Sequence, residues 1–238
     1  MEAVASNLQS VRSRIDAAAR RAGRDPSDIR LIAVSKTFSA DYVRAAWAAG
    51  QRDFGENKVQ EALQKAGQTS DIQISWHLIG HLQSNKARKA AGTFACIHSV
   101  DSVDLLKKLD AAAGEQGAAP DVLVQLDLAG EQTKFGAGAD DARRILDAAL
   151  DARAVRGAGL MLIPPWNEDQ EQTRPWFVQL RELRDRWLGE GVPAAALRHL
   201  SMGMSHDFEA AVEEGATMVR VGTAIFGKRV YPSEINHV

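Results

Sequence analysis

A single cysteine, Cys96, stands in the chain of 238 residues, so an intrachain disulfide is impossible and a cysteine-based metal cluster is excluded. No metal site is expected. Charge of one sign is missing as well. The 29 basic and 31 acidic residues leave a formal net charge of −2, which gives no electrostatic footprint for nucleic acid or an anionic membrane. No apolar run approaches the roughly 20 residues of a membrane span, and the opening stretch MEAVASNLQSVRSR lacks a signal-peptide core. These absences lead to the expectation of a soluble, cytoplasmic protein with neither nucleic acid nor membrane as partner. There is also no Pro/Gly/Ser-rich linker, no low-complexity segment and no short-period repeat. With 45% hydrophobic and 25% charged residues the chain has an ordinary globular composition, and one domain over 1–238 is expected.

What is present is alternation. Val4, Leu8, Val11 and Ile15 recur four, three and four apart, which predicts an N-terminal amphipathic helix over about 3–23, ended by Gly23 and Pro26. Short apolar runs then predict strands over 30–35, 51–55, 75–80, 94–100, 121–128, 157–162, 197–202 and 217–222. Helical patterns lie between them near 40–49, 57–66, 85–91, 102–113, 139–153, 169–189 and 206–214, the longest with Trp176, Leu180, Leu183 and Trp187 on one face. Eight βα units in about 200 residues most economically close into a (β/α)8 TIM barrel, here over about 30–227 with a short C-terminal tail. An open doubly wound sheet would normally carry a Gly-rich fingerprint after its first strand, and RLIAVSKTF has no glycine.

In such barrels the ligand site lies at the C-terminal ends of the strands. Strand one ends in Ser35-Lys36-Thr37, with Lys36 on the same face as Ile32 and Val34. A lysine there either snorkels to solvent or is an amine in a partly desolvated site, suited to Schiff-base chemistry. Loops after strands seven and eight are the recurrent phosphate-binding place. Ser205 follows strand seven, where it is either the N-cap of the 206–214 helix or a phosphate donor. Gly222 and Thr223 follow strand eight as either an ordinary turn or an anion cradle. Arg220 shares the inward face of strand eight, and a buried arginine is usually paired with a carboxylate. Strands seven, eight and one are neighbours in a closed barrel. Phosphate donors, a guanidinium and a lone lysine on one arc of the mouth are the groups needed to hold pyridoxal 5′-phosphate.

A resemblance covers nearly the whole chain. The segments AVSKT (33–37), FGENKVQE (54–61), WHLIGHLQSNK (76–86), HSVDS (98–102), GEQTKFG (130–136), GLMLIP (159–164) and LSMGMSHDFEAAVEEGATMVRVGTAIFG (200–227) are similar to the YggS/PROSC family of pyridoxal-phosphate-binding homeostasis proteins. The resemblance implies the barrel of the alanine racemase N-terminal domain, with Lys36 as the aldimine lysine. It also implies Ser205, Gly222 and Thr223 at the phosphate, Arg220 near the pyridine nitrogen and Asn57 in the cofactor pocket. Asn57 has a plainer role open to it as the cap of the next helix, with Gln60 at the supporting spacing. The run Ala158-Gly159-Leu160-Met161 departs slightly from the family's Arg-Gly-Leu-Met.

Other polar residues carry weaker signals. His77 and His81 lack the helical zinc motif and read as core or rim histidines. The run Gln83-Ser84-Asn85-Lys86 either lines the mouth or caps a helix, and Lys134 either meets an anionic ligand or is a surface lysine. Cys96 reads as a small buried hydrophobe.

Enzyme and carrier make different demands. Racemisation needs proton donors and acceptors on both faces of the substrate carbanion. Tyr42 and Tyr231 are the two tyrosines, neither an obvious second base, and fifteen residues follow Thr223. An arginine beside the ring nitrogen disfavours a protonated pyridinium. The expectation is therefore a monomeric carrier of pyridoxal 5′-phosphate without turnover, acting in vitamin B6 homeostasis and serving pyridoxal-phosphate-dependent apoenzymes. A small amino-acid racemase is the alternative, and a cofactor-free Schiff-base aldolase is a third.

Overall fold

The structure is a computed structural model that describes residues 2–130 and 135–228. Strands β1 (Arg30–Val34), β2 (Asp53–Glu56), β3 (Ser75–Leu78), β4 (Cys96–Val100), β5 (Asp121–Leu126), β6 (Arg156–Leu162), β7 (His199–Met204) and β8 (Met218–Val221) form a closed barrel. Every strand is parallel to both neighbours, and β1 closes on β8 through the register Arg30↔Met218 to Ala33↔Val221. This is the (β/α)8 barrel that the alternation predicts. The helices are α1 (Glu2–Arg21), α2 (Ala40–Ala48), α3 (Val59–Gln68), α4 (Ala87–Ala91), α5 (Val103–Gln116), α6 (Ala139–Leu150), α7 (Arg174–Gly189), α8 (Phe208–Glu213) and α9 (Thr223–Phe226). None of them is long and apolar enough to cross a membrane.

A barrel of this type buries its sheet under one helix per strand. After β8 the chain supplies α9, a single turn, which leaves the seam between α8 and α2 uncovered. The N-terminal helix α1 fills it, packing against α8, α9 and α2. Its Val4, Leu8, Val11 and Ile15 are all buried. Arg14 and Arg21 pair with Glu209 and Glu213 of α8, and the Asn7 amide donates to the Ile225 carbonyl at 3.0 Å.

The period-two alternation of the strands divides the core in two. Outward residues such as Phe54, Trp76, Ile97 and Leu200 meet the helices in one large apolar layer. Inside the barrel the apolar set is small: Ile32, Cys96, Leu123, Ala158, Met161 and Met218. Much of the remaining interior is polar, because Asp53, His77, His98, Ser201 and Arg220 occupy inward positions of five strands.

Three features differ from the sequence expectation for identifiable reasons. The run that predicts a strand over 197–202 begins with a 3-10 turn, Ala194–Leu197, whose Ala196 and Leu197 are buried, so β7 starts and ends two residues later. On α7 the buried stripe is Phe177, Leu180, Leu183 and Trp187, with Trp176 partly exposed beside it. The turn α9 is too short to leave a periodic signal.

The β7–α8 connection depends on Gly203. Its φ is +89°, and a Cβ there would lie 2.5 Å from Ala211 Cβ and 3.0 Å from Phe208 Cα. Gly203→Ala is therefore expected to cost roughly 1–3 kcal/mol through strain and overpacking, read as a lower midpoint in urea unfolding.

Candidate functional site

At the C-terminal ends of the strands lies a cavity of about 280 Å3. Its wall includes all six residues singled out in the sequence: Lys36, Asn57, Ser205, Arg220, Gly222 and Thr223. They come from the ends of β1, β2, β7 and β8, so the closure of β8 on β1 assembles the site.

Each polar group is held by something specific. Ser205 is not a helix cap, since the residue before α8 is Asp207. Its Oγ instead accepts from the Gly222 amide at 3.1 Å and from the Ala224 amide at 3.5 Å, tying the β7 loop to the β8 loop. Gly222 packs against β1, and a Cβ there would lie 3.2 Å from the Val34 carbonyl oxygen. Nor does Asn57 cap α3, whose N-cap residue is Lys58. It reaches the cavity wall because Gly80 has no side chain: a Cβ on Gly80 would sit 2.4 Å from the Asn57 carbonyl oxygen.

Arg220 is 3% exposed. Its Nη1 donates to Ser201 Oγ at 2.7 Å and its Nη2 to the Leu162 carbonyl at 2.9 Å. The expected direct carboxylate partner is replaced by a hydroxyl and a carbonyl. Burial pushes the guanidinium down to about 10, partly offset by the Asp207 carboxylate, so it stays protonated at neutral pH.

The turn carrying Lys36 is pinned from behind on both sides. Lys65 of α3 is buried and its Nζ donates to the Ser35 carbonyl, to Glu56 Oε1 and to Glu61 Oε1, each at 2.7 Å. Ser35 Oγ donates to the same Glu56 oxygen at 2.6 Å. Glu61 Oε1 accepts from the Thr37 amide at 2.5 Å, and Thr37 holds a left-handed φ of +71° that a threonine rarely adopts. Residues 35 and 37 are thus both anchored, which leaves Lys36 on a rigid turn at the cavity rim. Burial pushes the Glu56 carboxyl up against the opposing pull of Lys65. Burial also raises Glu61, but the Lys65 and Thr37 hydrogen bonds outweigh it and hold the group below its ordinary value.

Residues 6–230 match the model of the alanine racemase N-terminal domain. The pyridoxal phosphate homeostasis protein of Aquifex aeolicus is 42% identical over 94% of this chain and 97% of that protein. Its counterpart in Pseudomonas aeruginosa is 43% identical over 97% of this chain and 98% of that protein. The solved structure of PipY from Synechococcus elongatus with PLP bound is 43% identical, with a TM-score of 0.83 over 94% of this chain and all of that chain. This chain belongs to the pyridoxal phosphate homeostasis protein family. An alanine racemase from Clostridium difficile, 16% identical at a TM-score of 0.71, shares the fold, and this chain spans 58% of its length.

Several residues of this family member were missed in the sequence. Ile79, Ile163, Trp166, Met204 and His206 also line the cavity. Trp166 is 76% exposed and lies over the rim beside His206, with ring centroids 6.3 Å apart. Lys65 and Glu61 carry a visible i,i+4 spacing, but nothing local distinguishes a buried ion pair from an ordinary surface one. The remaining candidates fall outside the cavity. His77 is buried in the barrel interior, and His81 stacks on Phe135 at the rim, 3.4 Å from Asp101. Ser84–Lys86 form a 3-10 turn leading into α4. Cys96 is buried, as its hydrophobic reading implies. Tyr42 packs in an aromatic cluster with Phe38 and Phe226. Lys134 and Tyr231 lie outside the described residues.

The ion network generates a prediction with a definite pH sign. Lys65→Met removes the cation from buried Glu56 and is expected to cost roughly 3–5 kcal/mol at neutral pH. With its folded value raised further above the unfolded one, Glu56 then favours folding at low pH. The destabilisation should shrink on acidification and grow as the pH rises through the raised value. Urea unfolding of both proteins between pH 5 and pH 8 measures it.

Proposed function

We propose that this chain holds pyridoxal 5′-phosphate covalently but reversibly at Lys36 and serves cofactor homeostasis without turning over amino acids. The observation that carries this is the single cavity arc on which an anchored lysine, a buried guanidinium and two hydroxyl-bearing loops meet. When bound, the cofactor supplies an aldehyde that condenses with an amine, a ring nitrogen and a phosphate dianion.

The residues match these three demands in order along the cavity. Lys36 presents its amine from a turn that cannot swing away, because both neighbours are hydrogen-bonded. Arg220 has N–H donors left over after Ser201 and Leu162 are served, and being protonated it donates to the ring nitrogen rather than taking a proton from it. Ser205, Thr223 and the Gly222 backbone sit at the β7 and β8 loops, where the Ser205 bond already draws the loop amides together. Asn57 and the apolar Ile79 and Ile163 wall the ring between these ends.

The carrier reading favours holding over chemistry for two reasons. A guanidinium at the ring nitrogen leaves the pyridine unprotonated, a poorer electron sink. Tyr42, the tyrosine nearest in sequence to Lys36, is committed to Phe38 and Phe226. The imidazole on the wall, His206, lies exposed at the rim beside Trp166. In this reading the chain acts as a monomer in the cytoplasm, and pyridoxal-phosphate-dependent apoenzymes are the recipients.

Three outcomes follow. Thr223→Ala should weaken retention of pyridoxal 5′-phosphate by about 1–3 kcal/mol, while binding of phosphate-free pyridoxal barely changes. Equal losses for both ligands in equilibrium titrations would assign Thr223 to folding instead. Borohydride reduction and peptide mapping should place the pyridoxyl group on Lys36. Amino acids incubated with the loaded protein in deuterated water should keep their α-protons. Rapid exchange with loss of chirality, dependent on Lys36 and on His206, would make the protein a racemase.

A further inference from the structure

Below the cavity, the barrel interior holds a line of polar side chains that the cofactor-binding residues do not account for. Arg220 Nη1 lies 2.7 Å from Ser201 Oγ, and Ser201 Oγ lies 2.8 Å from His98 Nδ1. His98 Nε2 lies 3.0 Å from His77 Nδ1, and His77 Nε2 lies 3.0 Å from Asp53 Oδ1. The line crosses from β8 through β7, β4 and β3 to the first residue of β2. His77, His98, Ser201 and Arg220 are buried, and the Asp53 carboxylate at the far end is 24% exposed.

We infer that Ser201, His98, His77 and Asp53 form a one-way hydrogen-bond relay that fixes the Arg220 guanidinium at the cavity wall and joins its charge to a carboxylate at the opposite end of the barrel. These four are positioning residues, and their effect on bound cofactor rests on the proposed place of Arg220 at the ring nitrogen.

The donors determine the direction. A guanidinium donates and never accepts, so the Ser201 oxygen accepts from Arg220 and its hydroxyl proton goes to His98 Nδ1. His98 then carries its proton on Nε2 and gives it to His77 Nδ1. His77 carries its proton on Nε2 and gives it to Asp53, which as a carboxylate accepts. With both imidazoles neutral, no other assignment satisfies every contact. Burial holds the His98 imidazole well below its ordinary value, with the neighbouring Arg220 charge acting in the same direction. Four links with dipoles aligned from cation to anion strengthen one another in a low-dielectric interior. That arrangement answers a cost otherwise left open, since a buried cation whose direct partners are a hydroxyl and a carbonyl is expensive.

A metal ion is the competing reading of the same space, because ligand atoms of His77, Cys96 and His98 lie within 4.8 Å of one another. It would need a lone pair from each imidazole. In the relay the Nδ1 lone pair of His98 is taken by Ser201 and that of His77 by His98, so both are already spent.

The test begins on the cofactor-free full chain labelled with 15N-histidine at pH 7.5. Both His77 and His98 should appear as neutral Nε2–H tautomers, and Ser201→Ala should shift the His98 signals. A cationic His77, a proton on His98 Nδ1, or stoichiometric loss of these signals on adding one equivalent of zinc would overturn the relay, whatever the cofactor does. The second arm follows release of bound pyridoxal 5′-phosphate and the position of its absorption band. Ser201→Ala should release it about tenfold faster, the effect of losing one hydrogen bond to a charged group. Asp53→Asn, remote from the cavity, should act in the same direction with a smaller change. His98→Gln, whose amide oxygen and nitrogen replace the accepting and donating ring nitrogens, should stay near wild type. Variants that lower the melting temperature but leave release rate and band unchanged would reduce the network to a structural role and overturn the inference. Wild-type protein that fails to load at Lys36 would refute the proposed function instead, leaving the tautomers to decide the relay.

Discussion

The pairing of β1 with β8 is the constraint on which the site depends. Lys36 follows one of these strands, while Gly222 and Thr223 follow the other. Four register pairs, Arg30↔Met218 to Ala33↔Val221, bring the two ends together at the same height. Parallel pairing between the first and last strands is the most non-local strand pairing of the barrel, so its chain-closure cost is met only when the whole barrel forms. Helix α1 contributes to that closure. It covers the seam that the short α9 leaves open and is fastened to it through Asn7 and Ile225. A helix outside the barrel repeat is therefore part of what holds the cavity together.

Much of this was legible in the sequence, and the pattern of misses is physical. Strands buried on both faces read as apolar runs, so the β elements and their order could be read locally. Lys36, Arg220 and Gly222 could be placed because strand alternation and the known location of barrel sites are general rules. Ser205 and Asn57 each allowed a local role as helix caps, and the structure gives neither that role. Ser205 bonds an amide 17 residues away, and Asn57 is placed by the missing side chain of Gly80. Lys65 looks like any helical lysine until β1 and β2 bring Ser35 and Glu56 beneath it. In each case the deciding partner lies on another element, where periodicity and spacing carry no information.

The buried polar groups that back the cavity fall into two supports, one on each side of the sheet. Outside the barrel, Lys65 with Glu56 and Glu61 holds the turn of Lys36. Inside it, Ser201 holds Arg220. Both place charge where burial is costly, and both meet that cost with complete hydrogen bonding rather than with solvent. The exception is the second oxygen of Glu56, which is buried and unpartnered. Its raised carboxyl value fits that environment, since a protonated oxygen there needs less compensation than a charged one.

These supports also bear on the proposed role of holding and releasing the cofactor. A group that must be captured and later surrendered needs a preorganised seat, so that little ordering entropy is lost on each cycle. It also needs an open side from which an incoming amine can displace the lysine. The described cavity has both. Its floor and back are fixed by buried networks, while Thr223, His206 and Trp166 are exposed at its rim. Catalysis on an amino acid asks for the opposite balance, with water excluded and proton donors fixed on both faces of the reacting carbon. In the proposed reading the anchored Lys36 turn and Arg220 would hold the cofactor, and His206 and Trp166 on the open side are exposed. On that reading the rigidity of this site would serve holding, and its freedom lies where release would occur.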